Sequence, residues 1–174
     1  IKYDNLFASC WGLQFRHWNM RNANYLWAMA PMSHYMLSLL GNKTVMLDDA
    51  GGTGLDAIRD AGPDDVLLAA SVEPYARATI EAARYVAAAG VPVVALTDSE
   101  VSPLASLSVA TILVATESPS FFHTMTPLLA VAEILAALVA GNGGQNALAA
   151  LERTEAQLSA FGVHLTRRTS PERP

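Results

Sequence analysis

The stretch Asp65-Val66-Leu67-Leu68-Ala69-Ala70-Ser71-Val72-Glu73-Pro74-Tyr75-Ala76-Arg77 passes from an apolar run to a hydroxyl, a carboxylate and a proline, and then into a segment of helical character. A strand that is apolar at successive residues, rather than at alternate ones, has both faces covered, which is how parallel strands sit in α/β proteins. Residues 74–89 read as the helix that follows. Pro74 suits a first helical turn, where its missing N–H costs nothing, and Gly90 suits the position just past the end. Residues 91–96 then form a second apolar strand, closed by Thr97, Asp98 and Ser99.

The same alternation extends in both directions. Downstream, residues 102–107 read as a short helix, 110–115 as a strand, and 124–140 and 146–161 as two helices. Upstream, 44–47 read as a strand that runs into the turn-rich Asp48-Asp49-Ala50-Gly51-Gly52 and a helix over 55–61. Before that, 25–30 read as a short strand broken by Pro31, with a helix over 33–40. Phe7, Trp11, Phe15 and Trp18 are spaced by four, four and three residues, which predicts an aromatic docking helix over 4–20. The reading is a doubly wound α/β fold, a three-layer sandwich around a five-stranded parallel sheet, preceded by that helix. Its expected parts are a connector over 1–24, a ligand-binding domain over 25–163 and a loose tail over 164–174.

Composition narrows the function. The chain has 174 residues, of which 52% are hydrophobic and 16% charged, with a mean hydropathy of +0.26. This supports one well-buried domain and excludes disorder as the main reading. A net charge of −5 argues against a nucleic-acid surface within this segment. The lone Cys10 excludes an intramolecular disulfide, and His17, His34, His123 and His164 have no metal-ligand spacing, so neither metal nor cofactor is expected. The apolar stretch 125–140 is short for a membrane span and carries Glu133. No membrane partner is expected, and the expected compartment is the cytoplasm.

In a doubly wound sheet, ligands sit beyond the carboxyl ends of the strands. The candidates there are Ser71, Glu73, Tyr75 and Arg77 after the strand over 65–70, with Ser120 and His123 before the helix over 124–140. A helix start offers unpaired N–H donors to an anion, although Glu73 competes for them. Glu133, within an apolar helix, is expected to bind a ligand hydroxyl or a neighbouring subunit. Asp98 and Ser102 read as turn and cap residues.

Taken together, the stretches Asp48 to Gly52, Gly62-Pro63-Asp64-Asp65-Val66-Leu67-Leu68, Ser71 to Thr79, Thr97-Asp98-Ser99 with Ser102-Pro103-Leu104, and Ser118-Pro119-Ser120-Phe121-Phe122-His123 resemble the sugar isomerase (SIS) domain of RpiR/MurR-type transcriptional regulators. The resemblance covers roughly 26–163. It implies a five-stranded parallel sheet that binds a phosphorylated sugar or amino sugar and pairs as a homodimer or higher homo-oligomer. It also implies that DNA is reached only through a helix-turn-helix domain outside this chain. By the same resemblance the family's first phosphate loop falls on 28–35, where Ser33 is the candidate hydroxyl. Ser71 matches the first Ser of the second loop, while Glu73, Pro74 and Ala76 replace the family's Ser-Gly-x-Thr pattern. The resulting expectation is a non-enzymatic sensor of a sugar phosphate or related metabolite. The alternatives are an aldose–ketose isomerase with Glu133 or Glu73 as base and His123 assisting, or a degenerate scaffold that only dimerises.

Overall fold

The computed structural model describes residues 5–9, 26–47, 56, 58–119 and 124–163. In chain order these form β1 (Asn5–Ser9), α1 (Leu26–Leu39), β2 (Thr44–Leu47), β3 (Asp65–Ala70), α2 (Arg77–Ala88), β4 (Val93–Thr97), β5 (Ala110–Leu113) and α3 (Thr126–Ala160). A 3-10 turn, Ala105–Leu107, lies between β4 and β5. The strands build one sheet in the order β2-β1-β3-β4-β5, and every neighbouring pair is parallel.

β3 is buried at all six of its residues, and alternation of its side chains divides the core into two layers. Leu67 and Ala69, with Val93 and Ala95 of β4, pack against Ile80, Ala82, Ala83 and Val86 of α2. Leu68 and Ala70, with Leu96, pack against Ala30 of α1 and Leu128 and Ala132 of α3 on the other face. The apolar run that opened the sequence reading is therefore continuous because helices cover both of its sides. α2 ends as its sequence suggests. Gly90 takes a φ of 83° while its N–H bonds to Ala87 O and that of Val91 to Val86 O, both at 3.0 Å, closing the last turn.

Two readings are corrected. Residues Leu26–Leu39 are one helix with Pro31 inside it, so the expected strand over 25–30 is helical at its described residues, 26–30. An apolar run without periodicity fits a buried helix as well as a strand. Burial of Ala30, Ser33 and Leu37 on one stripe shows which side of α1 faces inward and overrides the break expected at Pro31. Residues Asn5–Ser9 are a strand seated between β2 and β3, so the aromatic helix does not begin at residue 4 and the sheet begins before residue 25. The remainder of that expected helix lies outside the described residues. The two expected C-terminal helices are borne out: Thr126–Ala160, here α3, is two helical stretches that meet at a kink at Gly144, whose φ of 51° and ψ of −129° are not helical.

The first of these helices runs past residue 140 to the kink, beyond the 125–140 stretch read as short for a membrane span. α3 is long and apolar enough to cross a membrane, with a mean hydropathy of 1.5 over an 18-residue window. Leu128, Ala132 and Ala136 nevertheless form a buried stripe at four-residue intervals, which sets one side of the helix against the rest of the domain.

Candidate functional site

The strand order reverses between β1 and β3: the chain steps outward from β1 to β2, and then across β1 to β3 and on to β5. Such a switch point opens a crevice at the carboxyl ends of the two strands concerned. Ser71–Ala76 is the loop that leaves β3 at this crevice and feeds α2. The segment that leaves β1 lies outside the described residues.

The loop is closed from within. Ser71 is fully buried, its N–H bonds to Leu96 O of the neighbouring strand at 3.0 Å, and its Oγ accepts the N–H of Ala76 at 2.9 Å. One hydroxyl thus ties the first residue of the loop to the residue before α2. The register that sets Ala70 against Leu96 also brings the next loop alongside. There Asp98 Oδ2 accepts the N–H of Glu73 at 3.0 Å, while Oδ1 accepts the Thr97 hydroxyl at 3.3 Å. Asp98 was legible only as a turn residue, whereas it joins two loops. The strand-end position of Asp98 was visible in the sequence, but the pairing of β3 with β4 that gives it a partner was not. Ser102 does cap, as expected: its Oγ accepts the N–H of Ala105 at 3.1 Å.

Tyr75 packs its ring against the α2-side core. Burial, first, pushes its phenol above the ordinary value of 10.0; the charge of Asp98, hydrogen bonding to that carboxylate and the charge of Glu73 act in the same direction, while a hydrogen bond with Ser99 opposes them. A folded-state value above the unfolded one means that this group's stabilising contribution is complete below about pH 10 and is lost as pH rises through the folded-state value. Asp98→Asn is expected to lower the phenol's titration midpoint part-way, because burial remains. The measurement is phenolate absorbance, taken as the difference from Tyr75→Phe in each background; an unchanged midpoint would separate Tyr75 from Asp98.

Arg77 does not serve the loop. It is exposed, with its side chain 89% accessible, and its Nε donates to Glu81 Oε1 at 2.7 Å, one turn further along α2. Ser33 is buried in the middle of α1, where its Oγ has no hydrogen-bond partner among the described residues, rather than in a loop at a strand end. Glu133 is exposed on α3, opposite the buried stripe, so the expected buried carboxylate is a surface one. Ser120 and His123 lie outside the described residues. Among the described residues no cluster of His, Cys, Asp and Glu is arranged to hold a metal ion.

The crevice therefore brings together Ser71, Glu73, Tyr75 and Asp98, together with the open start of α2. Its N-cap residue, Ala76, supplies no side-chain bond, and the N–H groups of a first helical turn have no acceptor within the helix. The model of the SIS domain matches residues 25–138. The chain belongs to the SIS-domain family. No curated protein matches the sequence. Among solved structures, the sugar isomerase domain of an RpiR transcription factor from Sphaerobacter thermophilus is similar to this SIS domain at 28% identity and a TM-score of 0.76. The match covers 89% of this chain and 80% of that one. NanR of Vibrio vulnificus, solved with ManNAc-6P, matches at 19% identity and a TM-score of 0.72 over 92% of this chain and 57% of its own. A Methanococcus jannaschii protein, described as inferring a 3-hexulose-6-phosphate isomerase function, has the same fold at 16% identity and a TM-score of 0.54, over 95% of this chain and 80% of its own. The SIS family agrees with the resemblance read from the motifs.

Proposed function

We propose that this SIS domain is the effector-sensing and oligomerising part of an RpiR-type transcription regulator, and that it takes a phosphorylated sugar or related carbohydrate metabolite at the carboxyl ends of β1 and β3. The observation that carries this reading is the Ser71–Ala76 loop, buried at one end, open at the start of α2 and located at the switch point of the sheet. The likeness to an RpiR transcription factor supports it, as does the likeness to NanR bound to a sugar phosphate. Oligomerisation is supported by the apolar side chains α3 leaves uncovered, with Ile134 and Leu138 each 57% exposed. DNA is contacted through a helix-turn-helix domain outside this segment, and the regulator works in the cytoplasm. The ligand acts by favouring one arrangement of the paired domains, which resets the spacing of the attached DNA readers.

Calorimetry of the chain against a panel of hexose and hexosamine phosphates, with sedimentation to give its mass, tests the proposal. Saturable heat from a dimer is expected, without incorporation of solvent deuterium into the sugar. Deuterium incorporation would instead favour the isomerase, with Glu73 as the candidate base. A dimer that gives no heat with any member of the panel would leave only the scaffold.

A further inference from the structure

The segments that follow β3, β4 and β5, residues 71–76, 98–104 and 114–119, carry Glu73, Asp98, Glu100 and Glu117 and no Lys or Arg. The nearest cation in sequence to the Ser71–Ala76 loop is Arg77, which is turned to Glu81 and exposed. Asp98 is engaged at both oxygens, by the Glu73 N–H and the Thr97 hydroxyl. Glu73 differs. Its backbone is pinned by Asp98 while its carboxylate is exposed and in no ion pair among the described residues. The side chain therefore leaves the loop with its acceptors unspent, four residues ahead of the first residue of α2.

A phosphorylated sugar with no positive charge would bring a dianion to this mouth with no basic side chain among the described residues of these segments to balance Glu73. A sugar that carries a protonated amine as well as the phosphate presents both signs: the phosphate to the α2 start, and the amine to the carboxylate. Resting on the sugar-phosphate reading above, we propose that Glu73 makes this site selective for a hexosamine phosphate with a free amine, against its N-acetylated and unaminated counterparts. Acetylation removes both the charge and two of the three amine protons, and so removes the partner that Glu73 is positioned to accept from.

The test is calorimetry of the full chain with the 6-phosphates of glucosamine, mannosamine and galactosamine, each beside its N-acetyl form, and with glucose 6-phosphate. At least one free amine is expected to bind about tenfold more tightly than its N-acetyl form, the scale of a charge-assisted hydrogen bond. Glu73→Gln keeps the size of the side chain at an exposed position and should leave thermal unfolding unchanged. It is expected to bring the two affinities to within about twofold. Equal or tighter binding of the N-acetyl or unaminated sugars, or a preference that survives Glu73→Gln, would overturn the role of Glu73 and leave the sugar-phosphate reading standing. No heat from any member overturns both.

Discussion

Replacing Leu67 by alanine is expected to lower the melting temperature of the domain by roughly 6–20 °C. Leu67 is fully buried at the middle of β3, paired in register with Phe7 of β1 on one side and Val93 of β4 on the other. It belongs to the layer packed against Ile80, Ala82, Ala83 and Val86 of α2. Truncation removes its transfer free energy and leaves a cavity that strands held on both sides cannot collapse into, about 3–5 kcal/mol in such a site. In a domain of this size each kcal/mol moves the midpoint by about 2–4 °C. Leu138→Ala is the control, because Leu138 is 57% exposed on α3 and should cost within about 0.5 kcal/mol. Thermal unfolding by circular dichroism compares the two, at a concentration where the chain is monomeric. Similar losses from both would mean that β3 does not hold the two-sided core assigned to it.

That pairing of a burial argument with a strand also explains which elements could be read without coordinates. β3, α2 and β4 were legible because two apolar runs and the closing Gly90 between them point the same way. The sequence reading starts α2 three residues early, at Pro74, whereas the helix begins at Arg77 and buries Thr79, Ile80, Ala82, Ala83 and Val86. The N-terminal part was not legible, because two signals competed there. The aromatic spacing from Phe7 fits a helix, yet Asn5–Ser9 pair with β2 and β3, and strand pairing depends on partners far away in sequence. At Pro31 the local rule lost to tertiary packing, since Ala30 and Leu37 are buried on either side of it in one helix.

The site was legible as a location and less so as an arrangement. Strand ends follow from the alternation of elements, so Ser71, Glu73 and Tyr75 were marked by position alone. Which of their atoms are engaged depends on register. Ser71 turns its hydroxyl back onto its own loop, Asp98 reaches across from the neighbouring strand, and Arg77 turns away to Glu81. Glu133 shows the reverse error. Its apolar neighbours in sequence suggested burial, but a helix has two sides, and the buried stripe of Leu128, Ala132 and Ala136 leaves residue 133 on the other.

Ser71→Ala is expected to weaken ligand binding by more than tenfold and to lower stability by about 1–3 kcal/mol. Alanine removes the acceptor for the Ala76 N–H, and a part-buried donor left without a partner costs about that much. The loss falls on the loop that sets where α2 begins, so the first-turn N–H groups are no longer held at one place against the crevice. Two measurements separate this from a direct contact between the hydroxyl and the ligand. If Ser71 acts by closing the loop, the fall in affinity is accompanied by a lower melting temperature in the absence of ligand and by faster amide exchange at Ala76 and Arg77. If it acts only by touching the ligand, affinity falls while the free protein melts and exchanges as before. Wild-type affinity in Ser71→Ala would remove the Ser71–Ala76 loop from the binding site altogether, because no residue in it is more deeply buried or more firmly tied to its neighbours.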